Sequence, residues 1–316
     1  MSNSLITVRV QQMRYEAKGI LSMELVAADG NALPPFEAGA HIDLHLANGI
    51  VRSYSLLNAA AERHRYVVGV LNDRNSRGGS RYVHEQLRVG ADMKISAPRN
   101  NFPLDASAAH SVLIAGGIGI TPISCMLNQL RSEGKSCELL YCARSRGEAA
   151  FSTALLRQDG VNAHFDDEQG APSDLRAYLA TKPKDAHFYC CGPTPMLNAF
   201  ESICAELDLP NVHIERFAAA DNVAAVQSGE YVAELARSKK TVAVPAGKSL
   251  LDALLDAGLE VEHSCREGVC GSCETRVLEG EPEHRDGVLS KSERASNKVM
   301  MVCVSGCKGK RLVLDL

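Results

Sequence analysis

The 316-residue sequence has no tryptophan, and aromatic residues make up only 5% of it. No site in the chain can therefore use an indole as a stacking platform. No apolar run approaches the roughly 18 residues that a membrane-spanning helix needs, so that class is excluded. Positive charge is not in excess: 34 Lys and Arg stand against 38 Asp and Glu, for a formal net charge of −4. Without a basic footprint, a nucleic-acid partner is not expected. The first residues, MSNSLITVRVQQMRYEAK, lack a basic stretch followed by an apolar one. No signal peptide is read, and a cytoplasmic protein is expected. No cysteine precedes Cys125, and the G-x-G-x-x-G dinucleotide fingerprint is absent.

Cysteine is abundant further on, with eleven in total. An odd number with no export signal argues against a disulfide framework and for metal or redox chemistry. The apolar share of 45% and charged share of 23% are ordinary for a globular chain. At about 150 residues per domain the length suggests two domains, with three small ones allowed.

The texture of the chain favours three. In residues 1–106, LITVRV, HIDLHL, VRSYSLL, RYVVGVL and ADMKISAP read as short strands between Pro, Gly and Asn. They predict an antiparallel β-barrel. In residues 107–219, SVLIAGGIGITPISCMLNQLRSEG and HFYCCGPTPMLNAFESICAEL each read as strand, turn and helix. Such alternation predicts an α/β domain on a parallel sheet. Residues 220–229 are small, polar and aperiodic, and read as a linker. Residues 230–316 open as strand, turn, strand and helix and close on the strand KRLVLDL. The fold class is thus multidomain, with this third part expected to be α+β.

Cys265, Cys270 and Cys273 have the spacing C-x4-C-x2-C, and Cys303 follows downstream. This is the plant-type spacing for a [2Fe-2S] cluster. Gly268, Gly271 and Ser272 allow backbone N–H groups to wrap the cluster closely. Zinc is the alternative for thiolate ligands, although zinc sites usually show paired C-x2-C knuckles and only one such pair exists here. Cys307 is either a near-miss ligand or a non-ligating thiol. Cys125, Cys137, Cys142, Cys190 and Cys204 sit in apolar strands or helices and read as small buried hydrophobes.

Two further segments carry binding chemistry. In RSYSLLN, Arg52 and Tyr54 project to one face of a strand, offering a guanidinium for a phosphate and an aromatic face for an isoalloxazine ring. A plain cross-strand pair is the bland reading. In SRGGSRYVHEQL, Gly78, Gly79 and Ser80 lead into a helix whose N–H groups can bind a phosphate. AGGIGITP, with Gly116, Gly117, Gly119, Thr121 and Pro122, is a strand-to-helix turn able to cradle a pyrophosphate. YCCGPTPM, with Cys191, Gly192 and Pro193, is a second turn at a strand's C-terminal end, where α/β sheets bind ligands.

The segment HSCREGVCGSCETRVLEGEPEHRDGVLS resembles the C-terminal ferredoxin domain of the phthalate dioxygenase reductase family, which includes vanillate demethylase reductases. The R-x-Y-S pattern resembles the ferredoxin–NADP reductase superfamily. The resemblance covers nearly the whole chain and implies three modules: a flavin barrel, a nicotinamide domain and a β-grasp ferredoxin domain.

It implies FMN as the flavin, held by Arg52, Ser53, Tyr54, Ser55, Gly78, Gly79 and Ser80. It adds backbone contacts from Gly69, Val70 and Leu71, a contact from Thr121, and Phe217 as a ring cover. It implies Cys191 close to the nicotinamide, and NADH as the coenzyme. On the residues alone the coenzyme stays open. Arg144 and Arg146 could meet a 2′-phosphate, whereas Asp166 and Asp167 could accept from ribose hydroxyls and repel one. Phe217 could equally be a core residue at a domain boundary.

The implied function is the reductase component of a multicomponent aromatic oxygenase or demethylase. Electrons would pass from NADH through FMN and the [2Fe-2S] cluster to a separate, Rieske-type oxygenase. A plant-type cluster near about −400 mV can reduce a Rieske centre at about −150 mV or above. The alternatives are a reductase for a haem protein or ferric chelate, or a non-enzymatic iron–sulfur redox sensor. No acid or base catalyst is named, no membrane partner is expected, and the oligomeric state is open, a monomer included.

Overall fold

The computed structural model describes residues 5–218 and 229–316. The chain divides into two compact units, Met1–Glu215 and Arg216–Leu316. Most of the expected linker, residues 220–228, lies outside the described residues.

The first unit carries two sheets. Strands β1 (Ile6–Ala17), β2 (Ile20–Ala27), β3 (Ala40–His45), β4 (Val51–Ser55), β5 (Tyr66–Leu71), β6 (Asp92–Ile95) and β7 (Arg99–Asn100) form the first. Their order is β4-β3-β6-β1-β2-β5, with β7 beside β3. The pairs are antiparallel. A bridge between Leu56 and Val68 joins the two ends and closes the sheet into a barrel. Alternation explains the strands: Val8 and Val10 are buried while Arg9 between them is exposed. Helix α1 (Gly79–Glu85) follows β5.

The second sheet is parallel, in the order β10-β9-β8-β11-β12. Its elements are β8 (His110–Gly116), α2 (Ile120–Ser132), β9 (Ser136–Ala143), α3 (Ser152–Leu155), β10 (Val161–Phe165), α4 (Asp166–Gln169), α5 (Leu175–Ala180), β11 (His187–Cys191), α6 (Thr194–Glu206) and β12 (Val212–Glu215). Six of the seven β8 residues are buried, the pattern of a strand covered on both faces.

The barrel and the parallel sheet are separate sheets but not separate compact units. One buried cluster runs from Val8 and Leu44 in the barrel to Ile123 on α2 and Cys191 on β11. The two sheets fall in one compact unit because α2 and one face of the parallel sheet complete the barrel's core. A second cluster, including Phe188 and Phe200, fills the other face of the parallel sheet.

The second unit has β13 (Tyr231–Leu235), β14 (Lys240–Val244), α7 (Leu250–Asp256), β15 (Glu274–Glu279), β16 (Pro282–Glu283), α8 (Lys291–Ser296), β17 (Val299–Met301), β18 (Gly306–Cys307) and β19 (Arg311–Leu314). The main sheet runs β14-β13-β19-β15-β17. Here the parallel β13–β19 pair is flanked by antiparallel partners. Helix α7 packs its buried Leu250, Leu251 and Leu254 into the sheet's core, which makes this unit α+β. Ser249 caps α7 by accepting the N–H of Asp252. No helix among the described residues is long and apolar enough to cross a membrane.

Candidate functional site

In β4 the pleat separates the residues of the R-x-Y-S segment. Ser53 stands opposite Asp43 in the β3 register and donates its hydroxyl to that carboxylate at 2.5 Å. Its side chain is committed there, so only its backbone is available to a ligand. Arg52 and Tyr54 take the other face. Burial pushes the Tyr54 phenol up to about 12, so the ring stays neutral.

Arg52 reaches the turn before α1. A Cβ on Gly79 would sit 2.7 Å from Arg52 Cγ, so the guanidinium arm lies directly against that glycine. Gly78 is at φ +100°, a conformation that a side chain rarely adopts. Ser80 donates its hydroxyl to Ser76 Oγ at 2.9 Å, and Ser76 Oγ also accepts the Gly78 N–H at 3.1 Å. This is a fixed, amide-lined turn beside one guanidinium, and it fits a phosphate. Helix α1 has only 7 residues, so positive charge at this turn comes from side chains such as Arg52 rather than from a long helix dipole.

Gly69 on β5 lies against Thr121: a Cβ there would fall 2.7 Å from Thr121 Cγ2. Thr121 donates its own hydroxyl to the Ile118 carbonyl at 3.0 Å. The Val70 carbonyl lies 3.0 Å from His84 Nε2. Leu71 is exposed. The structure thus gathers Arg52 with Gly78, Gly79 and Ser80, and separately Gly69 with Thr121.

The two turns of the parallel sheet also meet. A Cβ on Gly116 would lie 2.7 Å from Pro193 Cδ, and one on Gly119 would overlap the Cys191 carbonyl. These contacts require glycine at both positions, because the opposing atoms belong to a proline ring and to backbone. Pro122 is buried in the first turn of α2. Cys191 is fully buried. Burial pushes its thiol well above the ordinary range, and the neighbouring Glu215 adds to this.

Sequence reasoning gave Glu215 no role. In the register of β11 and β12 it stands opposite Cys191, and Ser55 Oγ lies 3.4 Å from its carboxyl. Burial pushes the Glu215 carboxyl up to about 8, against a lowering contribution from Ser55. Phe217 is 40% exposed, two residues beyond β12.

Of the two arginines near residue 144, Arg146 is less available than the sequence suggests. Arg146 grips Glu168 with two bonds, at 2.6 and 3.1 Å, and lies over the Phe165 ring at 4.5 Å. Arg144 is exposed, and its carbonyl accepts the Asp167 N–H at 3.0 Å. Asp166 Oδ1 stands 3.5 Å from His164 Nε2.

In the second unit Cys265, Cys270, Cys273 and Cys303 are all buried. Their thiols form a chain of contacts: Cys270 touches Cys265, Cys265 touches Cys303, and Cys303 touches Cys273. Backbone N–H groups point at the sulfurs. Those of Glu267 and Val269 reach Cys265 at 3.3 and 3.5 Å, and that of Cys265 reaches Cys270 at 3.5 Å. Contact with Cys265, then burial, pushes the Cys270 thiol up. Four thiolates can coexist here only around a cationic centre, so the donor set fits an iron–sulfur cluster. Among the described residues no group of donors converges on a single-ion site. Cys307 lies on β18, its thiol 3.6 Å from the Arg311 carbonyl and not in the chain of contacts, so it reads as non-ligating.

The 2Fe-2S iron-sulfur cluster binding domain matches residues 233–308. The phenoxybenzoate dioxygenase subunit beta of Ectopseudomonas oleovorans is 51% identical over 313 residues, 98% of this chain and 97% of that protein. The crystal structure of phthalate dioxygenase reductase, described as modular for electron transfer from pyridine nucleotides to [2Fe-2S], is 38% identical with a TM-score of 0.72, covering 99% of this chain and 98% of that one. The chain belongs to the phthalate dioxygenase reductase family.

It is an oxidoreductase of that family with a C-terminal [2Fe-2S] domain. An intact type IV self-sufficient cytochrome P450 monooxygenase is also similar, at 38% identity and a TM-score of 0.90 over 99% of this chain. This protein spans 41% of that larger chain.

Proposed function

We infer that this protein is the reductase component of a multicomponent aromatic oxygenase or demethylase, using NADH, FMN and a [2Fe-2S] cluster to reduce a separate Rieske-type oxygenase. A bound flavin would supply the chemistry that takes two electrons from NADH and releases them singly, and a bound cluster would supply one-electron transfer to the acceptor. The observation that carries the reading is that one chain holds a phosphate turn under Arg52, a paired glycine turn at Cys191 and a buried four-thiol loop. Relatives of the same length align with it from end to end.

The chain's own residues supply position and charge. Arg52 and the amides at Gly79 and Ser80 hold the FMN phosphate, and Gly78, whose own N–H is taken by Ser76, shapes the turn. Tyr54 packs the ring, with backbone from Ser53, Gly69, Val70 and Leu71 and a contact from Thr121. Gly116, Gly117, Gly119, Thr121, Pro122, Gly192 and Pro193 line the coenzyme's path, with Arg144 at its edge and Cys191 beside the nicotinamide. Phe217 covers the flavin. Burial keeps the Glu215 carboxyl protonated near neutrality, so the Ser55–Glu215 pair places no fixed negative charge at this strand end. The amides around Cys265, Cys270, Cys273 and Cys303 stabilise negative sulfur.

NADH rather than NADPH is supported by the acidic turn Asp166–Asp167–Glu168 and by the engagement of Arg146 with Glu168. We place the module boundaries at residues 106, 219 and 229. A cytoplasmic location is supported by eleven cysteines of which none forms a disulfide.

A haem acceptor is the second reading, favoured by the likeness to the P450 chain. Mixing the purified protein with NADH and either a Rieske oxygenase or a P450 separates the two. NADH-driven reduction of the Rieske centre supports the proposal. Reduction of the haem alone overturns its acceptor.

A further inference from the structure

Asp286 ligates nothing, yet its side chain is completely enclosed. One carboxyl oxygen accepts the backbone N–H groups of Val288 and Leu289, at 3.1 and 2.8 Å. The other accepts the Ser305 hydroxyl at 3.5 Å. His284 Nδ1 and Arg294 Nη2 each stand 3.8 Å from the carboxylate. The Arg294 guanidinium also donates to the Asp286 carbonyl. A buried carboxylate persists only with such a set of partners.

The position of this residue gives it a role. Ser305 lies two residues beyond Cys303, and Gly268 two residues before Cys270. The Gly287 N–H donates to the Gly268 carbonyl at 2.8 Å. Gly268 is at φ +69°, and a Cβ there would meet Asp286 Cα at 3.0 Å and Val304 Cγ2 at 2.6 Å. Its own N–H reaches the Cys303 sulfur. The Asp286 segment is therefore wedged between the two stretches that carry the thiol ligands.

We propose that Asp286 is a positioning residue for the cluster: it holds the Gly268 amide on the Cys303 sulfur and places a buried negative charge beside the thiol loop. The proposal rests on the reading of Cys265, Cys270, Cys273 and Cys303 as cluster ligands. Two physical consequences follow. Loss of the wedge loosens both ligand-bearing stretches. Loss of the charge alone leaves Arg294 less compensated and makes an added electron on the cluster cheaper in energy, because net charge and sulfur hydrogen bonds set such potentials. An asparagine keeps the shape and one acceptor oxygen for the Val288 and Leu289 amides, so it isolates the charge.

The test compares full-length wild type, Asp286→Asn and Asp286→Ala, purified anaerobically. Three quantities are read: the EPR spectrum of the reduced cluster, its midpoint potential by mediated titration, and NADH oxidation with ferricyanide, which draws on the flavin and reports intact folding of the first unit. Asp286→Asn is expected to keep the cluster and shift its potential positive. Asp286→Ala is expected to lose cluster content or change its EPR line shape while ferricyanide turnover persists. A wild-type potential in Asp286→Asn together with a wild-type spectrum in Asp286→Ala overturns the proposal. A wild type with no [2Fe-2S] signal overturns the ligand reading itself, and the proposal with it.

Discussion

Ser55, at the end of barrel strand β4, and Glu215, at the end of β12 in the parallel sheet, meet at 3.4 Å through hydroxyl and carboxyl. This pair ties the strand that carries Tyr54 to the strand that neighbours Cys191. Burial raises the Glu215 pKa to about 8, so the folded protein holds a proton that the unfolded chain has released. The stabilising contribution is complete below the ordinary glutamate pKa and is lost as pH rises through about 8. Melting temperatures across this window are expected to favour Glu215→Gln over wild type increasingly as pH rises. A gap that shrinks with rising pH contradicts the assignment.

Arg52 packs its side chain against Gly79 at the expected phosphate turn. Arg52→Ala removes a charge-assisted contact worth about 1.5–3 kcal/mol, so FMN affinity is expected to fall by roughly 10- to 100-fold. Riboflavin, which has no phosphate, is expected to bind both forms equally. Fluorescence titration with the two flavins reads the difference. Equal losses for both would place Arg52 elsewhere.

Gly119 has no room for a side chain, because its Cβ would overlap the Cys191 carbonyl and come within 2.8 Å of the Gly192 nitrogen. These are backbone atoms and cannot step aside cheaply. Gly119→Ala is expected to raise the KM for NADH about tenfold at a stability cost of about 1–3 kcal/mol, while the flavin stays bound. Steady-state kinetics with a flavin-content assay checks both halves.

Arg146 is engaged by Glu168 and stacked on Phe165. Arg146→Ala is therefore expected to leave the ratio of kcat/KM for NADH and NADPH within about twofold. Glu168→Gln frees the guanidinium and is expected to raise NADPH use. A collapse of NADH turnover in Arg146→Ala would contradict this.

Much of the architecture is legible in the sequence because period and punctuation report it directly. The alternation in LITVRV gives β1, and the unbroken apolar run SVLIAG gives a strand covered on both faces. The thiol spacing is equally legible, since a cluster loop needs its ligands close in sequence. Contacts between distant segments are not. The bond from Ser53 to Asp43 depends on a strand register, and the grip of Glu168 on Arg146 depends on two loops meeting. Glu215 and Asp286 look like ordinary acids in the sequence. Only burial, which follows from the folded chain, distinguishes them. The shared core of barrel and parallel sheet is hidden for the same reason: apolar α2 residues do not announce which surface they cover.

The most direct test of the account is an anaerobic titration of the purified protein with NADH, followed by visible and EPR spectroscopy, with Cys303→Ser alongside. The account predicts bleaching of both the flavin and the cluster in wild type, with a reduced [2Fe-2S] signal. In Cys303→Ser it predicts flavin bleaching with that signal lost or altered. Flavin reduction with no cluster signal in wild type would contradict it.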